Sequence, residues 1–208
     1  MSESNPEKLK TKILQSAQPL FIENGYKKVT YKEIANEVGI SKSLLQYYFP
    51  KKAEILEQLM IINFDHWLKS IPIKDSYTKL TTFMMLFFDF ISRDDKIHEF
   101  MNEIIDNNEL FNVFMGFFDK WLTEKELVKE EAKQIKASFL FATSGGLQLY
   151  RFRKNYQLQI NQIVKTIIQT LLNLLHKSQQ FIDDTLESAD EYYNQLKNKG
   201  WQLVTISD

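Results

Sequence analysis

Apolar positions along this chain recur at three- and four-residue intervals, the spacing that gathers them on one face of an α-helix. Leu9, Ile13, Ala17, Leu20 and Phe21 form the first stripe, opened by Asn5-Pro6 as cap and first helical residue and closed at Asn24-Gly25. Pro19 lies deep in that stripe, lacks an amide and crowds the Gln15 carbonyl, which predicts a kink or local irregularity. Thr30-Tyr31-Lys32-Glu33 reads as a capping box, with Ile34, Ala35 and Val38 as the apolar face behind it. Gly39 can take the left-handed turn that ends this short second helix, Ser41 caps a third, and Pro50 stops that one near Phe49. A fourth helix is predicted from near Lys52 through Ile55, Leu56, Leu59, Ile62 and Trp67, ending by Ile71-Pro72.

Polar breaks at Ser92 to Asp95, at Asn107-Asn108 and at Thr123 to Lys125 predict helices near 76–91, 95–106 and 109–122. Two longer stripes follow: Val128, Ala132, Ile135, Phe139, Ala142, Gly146 and Tyr150, then Ile160, Ile163, Ile167, Leu171 and Leu174. In the second of these, Val164, Ile168, Leu172 and Leu175 widen the apolar face beyond the roughly 100° a surface helix needs, implying burial from two sides, one of them against another subunit. Phe181, Ile182, Thr185, Ala189, Tyr193 and Leu196 suggest a last helix, and the stretch from Trp201 to Ile206 is too short to assign. The expected fold is all-α, with about nine or ten helices. It divides into a three-helix domain over 1–51 containing a helix-turn-helix, a larger helical domain over 52–178, and a partly helical extension over 179–208.

Composition supports helices, since 208 residues hold only 6 Gly and 4 Pro, and it excludes a disulfide framework because there is no Cys. Met1 to Lys12 is polar, without the apolar core of a secretory leader, so a cytoplasmic location is expected. The longest apolar run found, Phe83 to Phe88, is far short of the ~20 residues that span a bilayer, so no membrane association is expected. The net charge of -1 conceals an asymmetry: residues 1–56 carry nine Lys against six acids, and the remainder 17 bases against 21 acids. Arg93, Arg151 and Arg153 all lie outside the basic segment, so anion binding there would rest on lysines, hydroxyls, amides and helix ends. With no cysteine nucleophile, glycine-rich phosphate loop or close histidine pair, neither an enzyme nor a cofactor is expected. His66, His98 and His176 are dispersed, and Asp94, Asp95, His98, Glu99, Asn102, Glu103 and Asp106 have the spacing of a solvated helix face rather than a metal site.

A helix, a glycine turn and a capped second helix make the helix-turn-helix shape, whose second helix enters the DNA major groove. Ile13-Leu14, Leu20-Phe21, Gly25-Tyr26, Thr30, Ile34-Ala35, Val38-Gly39-Ile40-Ser41, Leu45, Tyr48-Phe49, Lys52 and Ile55-Leu56 resemble, in order and spacing, the amino-terminal DNA-binding domain of the tetracycline-repressor (TetR) family. The resemblance covers about the first 56 residues; beyond them only chain length and helix count agree. It implies a homodimeric, ligand-responsive transcriptional regulator, usually a repressor, that binds a palindromic operator in duplex DNA and releases it when a small molecule enters the carboxy-terminal domain. An activator or a corepressor-dependent regulator would use the same parts. A helical ligand-binding protein that kept the bundle for stability would show no salt-sensitive binding to duplex.

Carried over by position, Thr30 would cap the second helix against a phosphate with Tyr31 beside it. Ser41, Lys42, Ser43 and Leu44 would open the recognition helix toward base edges, followed by Gln46 and Tyr47, while Tyr48 and Lys52 would hold the DNA backbone. Phosphate contacts set register and base contacts set sequence. Gln46 stands where relatives commonly have tyrosine, and Ser43 and Leu44 replace a frequent glycine and a smaller residue, so operator sequence does not transfer. Gln46 could read adenine and Leu44 a thymine methyl. Lys51 replaces a serine-like cap of the fourth helix and adds positive charge.

Fourteen of the 16 Phe follow Pro50, with several Met among them, a set that can wall an adaptable apolar cavity, although any single ring at this spacing more often packs a core. The expected effector is bulky and apolar or aromatic, with Phe87, Phe114, Phe118, Trp121, Phe139 and Tyr150 as candidate lining. Arg151 and Arg153 suit the negative end of a helix dipole better than an acidic ligand. Gly145-Gly146 within a helix costs about 1 kcal/mol per residue relative to Ala, which close helix approach or a local kink would offset. Pairing of two chains is expected through the last two long helices.

Overall fold

Ten helices and no strand occur among the residues described by the structure, a computed structural model covering 6–124, 132–199, Leu203 and Ile206. They are α1 (Pro6–Asn24), α2 (Tyr31–Val38), α3 (Lys42–Tyr48), α4 (Lys52–Ser70), α5 (Ser76–Arg93), α6 (Asp95–Asp106), α7 (Asn108–Glu124), α8 (Ala132–Arg151), α9 (Ile160–Leu174) and α10 (Gln179–Leu196). The all-α expectation holds, and the predicted helix ends fall within a few residues of those observed. Asn5 as a cap, the break at Lys125, the stripe member Val128 and Trp201 lie outside the described residues. α1 is one helix from Pro6 to Asn24 with Pro19 inside it, at the position where a kink or local irregularity was expected. Pro19 sits on the exposed side, where the Gln15 carbonyl it deprives of a donor can turn to water.

The helices fall into two compact units. The first takes residues 6–66 and 94–114 with Leu203 and Ile206. Its core is built on the α1 stripe of Leu9, Ile13, Leu14, Ala17 and Phe21, which meets Tyr26, Val29, Ile34, Ala35, Leu45 and Phe49 as a buried set. α2 and α6 both pack on α1, and Asn63 of α4 donates to the Gln18 side chain at 3.0 Å. The polar run on α6 is therefore not simply a solvated face. Asp94 caps the helix by accepting the Lys96 and Ile97 amides, and Glu103 reaches the backbone between α1 and α2.

The second unit takes 67–93, 115–124 and 132–199 and is organised around α5. Twelve residues of α5 are buried, among them Leu80, Thr81, Thr82 and the whole run Phe83 to Phe88, as expected of an interior helix with neighbours on several sides. Thr81 and Thr82 tolerate burial because each hydroxyl donates to the carbonyl four residues back, at 2.8 Å. α9 and α10 both pack along α5, and α8 packs on α9. Val164, Ile168, Leu172 and Leu175 are accordingly buried within the chain, so the width of the α9 face reports α5, α8 and α10 rather than another subunit. The segment read as an extension holds α10, whose Ile182, Thr185, Leu186 and Ala189 are core residues.

Candidate nucleic-acid interface

The second and third helices are set by local chemistry. Thr30 donates its amide to the Glu33 carboxylate at 2.6 Å, and the Glu33 amide donates to the Thr30 hydroxyl at 3.2 Å, completing the predicted capping box. Hydrogen bonds from the Thr30 amide and hydroxyl hold the Glu33 carboxyl below the usual carboxylate range. α2 ends at Gly39 with φ 77° and ψ 34°, a left-handed conformation that L side chains rarely adopt. No atom would crowd a Cβ at Gly39, so the glycine is required by its backbone angle alone. Ser41 then caps α3 by accepting the Leu44 amide at 3.1 Å, and its hydroxyl also meets that of Ser43 at 3.0 Å.

α3 is only seven residues long, and Leu45, fully buried, seats it on the core with Phe49 beyond its end. Successive residues turn by 100°, so burying Leu45 leaves Lys42, Ser43, Gln46 and Tyr47 exposed, with Leu44 at 38% and Tyr47 at 79% of full exposure. Tyr48 is half-buried, its ring edge-on to Tyr47 at 5.5 Å. Tyr31 donates its hydroxyl to the Phe49 carbonyl at 2.8 Å, pinning the start of α2 to the end of α3, and burial raises its phenol above the ordinary value. Ser41 to Leu44, Gln46 and Tyr47 therefore form one projecting surface.

Besides Tyr31, two further candidates are otherwise engaged. The Thr30 hydroxyl gives its one proton to Glu33 at 2.8 Å, so it has none to offer a phosphate while the box is closed. The Lys52 ammonium donates to the Tyr26 carbonyl at 2.5 Å and the Val29 carbonyl at 2.7 Å and lies 4.1 Å from the centre of the Tyr26 ring. Burial lowers its pKa, opposed by the Glu103 and Glu33 carboxylates, and burial also pushes the Tyr26 phenol up to about 12. Lys52 thus fixes the connection between α1 and α2, while Lys27, Lys28, Lys42 and Lys51 stay exposed. Replacing Lys52 by Met, which keeps the stem and removes the ammonium, is expected to destabilise the fold by about 1–2 kcal/mol in urea titration, the half-open site letting water replace part of the loss. The salt slope of duplex binding should not change; a lost phosphate contact would lower it by about 0.9 log units.

The candidate effector residues lie in different places. Phe114 belongs to the first unit and packs edge-on to Phe64 at 5.9 Å. In the second unit a continuous run of rings links Phe139, Phe118, Phe83, Phe87, Phe88 and Tyr150, with neighbouring centroids 5.3 to 6.0 Å apart. All six are buried, and Tyr150 donates its hydroxyl to the Ile91 carbonyl at 2.7 Å. Trp121 is buried as well. A cavity of about 310 Å³ opens between α7 and α8, walled by Met115, Leu122, Phe139 and Leu140 beside a Lys136–Asp119 ion pair of 2.8 Å. Of the six candidates it takes in Phe139 alone. Arg153 donates to the Tyr150 carbonyl at 3.0 Å near the end of α8, the dipole-compensating role expected of it. No described helix is long and apolar enough to cross a membrane.

Comparison with known proteins agrees with this geometry. Residues 13–59 match the family model described as bacterial regulatory proteins, tetR family. Over 58 residues the chain is 41% identical to the biofilm operon icaADBC HTH-type negative transcriptional regulator IcaR of Staphylococcus aureus, a match spanning 28% of this chain and 31% of that one. The chain thus covers under a third of IcaR. The HTH-type transcriptional regulator PksA of Bacillus subtilis is 24% identical over 203 residues, covering 89% of this chain and 96% of PksA. Among solved structures, RolR without ligand superposes with a TM-score of 0.61 at 14% identity, covering 86% of this chain and 95% of RolR. A TetR transcriptional regulator from Rhodococcus sp. RHA1 superposes with a TM-score of 0.59 at 16% identity, covering 83% of this chain and 97% of that one. These two structural likenesses establish a shared fold.

Proposed function

We propose that the chain, whose residues 13–59 match the family model of tetR-family bacterial regulatory proteins, is a homodimeric repressor of that family. It reads a palindromic operator through α3 and is released by a bulky apolar or aromatic effector. The observation that carries the reading is the seating of α3: one buried Leu45 holds a short helix whose Ser43, Gln46 and Tyr47 side chains all face outward. Such a helix contributes little to the core and much to a groove of duplex DNA. The exposed lysines 27, 28, 42 and 51 supply phosphate attraction without base preference.

Pairing through α8 and α9 is supported by what the monomer leaves uncovered. Leu140, Phe141 and Phe152 are 47%, 69% and 44% exposed, and Ala137, Phe141, Gly145 and Phe152 follow one another along α8 and just past its end at near-helical spacing. The outward residues of α9 include Gln162, Thr166, Gln169 and Asn173, all uncharged. Exposed aromatics on α8 and an uncharged outward row on α9 suit an interface core, with Arg151 over the Phe152 ring at 5.6 Å as a charged neighbour. An effector that prefers a second arrangement of the pair moves the two α3 helices away from the roughly 34–36 Å spacing of successive major grooves. Shifting the population from 1:99 to 99:1 takes a preference of about 5.5 kcal/mol.

Selection of bound sequences from a random duplex pool tests this reading. A palindrome with half-sites about one helical turn apart should be enriched, bound with a steep salt dependence and lost on adding an apolar aromatic compound from a panel. Recovery of no preferred sequence removes the DNA-binding function.

A further inference from the structure

The connection between α1 and α2 is gripped by two side chains of opposite charge, both from outside the helix-turn-helix. On one side is Lys52, with its ammonium on the Tyr26 and Val29 carbonyls. On the other is Glu103 of α6, 76 positions along the chain, whose Oε2 accepts the Lys27 amide at 3.2 Å. The same carboxylate closes over Gly25: a Cβ built there would stand 2.9 Å from Oε1, and Gly25 itself has φ +82°. The two grips reinforce each other, because the Glu103 charge favours the ammonium form of Lys52. A second link joins the same elements, an ion pair between Lys96 in the first turn of α6 and Glu23 at the end of α1.

What this connection controls is the start of α2. It runs directly into Thr30, the residue that caps α2, and the first residue of α2, Tyr31, is bonded to the carbonyl that ends α3. The pose of the turn is thereby passed through two short hydrogen-bonded steps to the outward face of α3. Released from Glu103, the Lys27 amide is free to bond water, and the turn loses the contact that selects one backbone path around Gly25.

We propose that Glu103 is a positioning residue for operator binding: its carboxylate, on the Lys27 amide and against Gly25, holds the turn in the pose from which α2 and α3 can engage a duplex. This rests on the DNA-binding reading above. Its signature is a sign. Glu103 is an anion in the unit that meets polyanionic DNA, so its removal should by electrostatics alone tighten binding. Loss of positioning instead weakens it, in proportion to the fraction of molecules that keep the competent pose.

The test uses the full-length chain and the duplex enriched by the selection. Glu103→Ala should weaken binding about tenfold if the competent population falls to about a tenth, with the salt slope kept because the bound complex is the same. Glu103→Gln retains an acceptor for the Lys27 amide and should recover most of the affinity, and hydrogen exchange at Lys27 should quicken in the Ala variant but not in the Gln variant. If the Ala variant melts below the assay temperature, Glu103→Met keeps the aliphatic stem without an acceptor and takes its place. Binding as tight as wild type, or tighter, in a folded variant lacking the acceptor overturns the positioning role and leaves the DNA-binding reading standing. A wild-type chain that enriches no duplex removes both.

Discussion

A glutamate in place of Ser43 is expected to weaken operator binding at least a hundredfold while moving the melting midpoint by no more than about 2 °C, since a surface change of this kind is worth only a few tenths of a kcal/mol. Ser43 is exposed in the first turn of α3, and its recorded side-chain bond is the 3.0 Å contact with the Ser41 hydroxyl. The cap that orders α3, Leu44 amide to Ser41 oxygen, does not involve it. A carboxylate near a helix amino terminus is mildly favourable, by about 0.3–1 kcal/mol, so the free protein tolerates the change. In the complex the same carboxylate is carried into a groove bordered by phosphates, where like charges brought together cost several kcal/mol. A hundredfold loss corresponds to about 2.7 kcal/mol, within that range. Asn194→Glu on α10, exposed and in the other unit, changes net charge equally and should alter affinity less than threefold on the general field alone. Fluorescence anisotropy on labelled operator at fixed salt measures both variants. Wild-type affinity in Ser43→Glu would mean that α3 does not meet the duplex.

That contrast depends on α3 being set by its immediate neighbours, and those signals were the legible ones. Thr30 with Glu33, Gly39, Ser41 and Pro50 each act within four residues, so residue type and spacing predicted the ends of α2 and α3, while the outward positions on α3 came from the family resemblance. The proposed function was legible for the same reason, because the surface proposed to carry it is one short helix. Partners contributed by distant segments leave no such trace. Nothing near Lys52 announces that its ammonium will be used by carbonyls 23 and 26 residues earlier, and nothing in the acidic run on α6 marks Glu103 as the residue that grips Gly25 and Lys27. The breadth of the α9 face was visible, but periodicity reports that a face is covered and not by what; α8, α5 and α10 cover it. The aromatics show the same limit. Helical spacing is identical for a ring that lines a cavity and a ring that packs against another, and the run from Phe139 to Tyr150 is made of packed rings.

Gly145 and Gly146, adjacent in α8, should respond to substitution in opposite ways. A Cβ at Gly146 would fall 2.1 Å from Cγ1 and 2.2 Å from Cδ1 of Ile167, which is itself buried. Gly146→Ala gains about 1 kcal/mol of helix propensity but forces α8 and α9 apart, and overpacking of this kind costs about 1–3 kcal/mol. With Gly146→Leu the strain dominates, and a loss of about 3 kcal/mol would lower the melting midpoint by roughly 6–12 °C in a chain of this size. If the clash is the cause, Ile167→Ala in the Gly146→Ala background should return part of the loss, with a coupling of about 1 kcal/mol or more between two changes that each destabilise alone. Gly145 has nothing within 4 Å of its Cβ and lies on the exposed face of α8, so Gly145→Leu should fold with unchanged or slightly raised stability. That face is the one proposed to pair two chains through Phe141, and a leucine there holds the partner backbone away. Sedimentation should then shift toward the 24.7 kDa monomer, and affinity should fall for the full palindrome more than for an isolated half-site. A Gly145→Leu chain that remains a dimer with wild-type palindrome affinity would place the pairing surface elsewhere on the molecule.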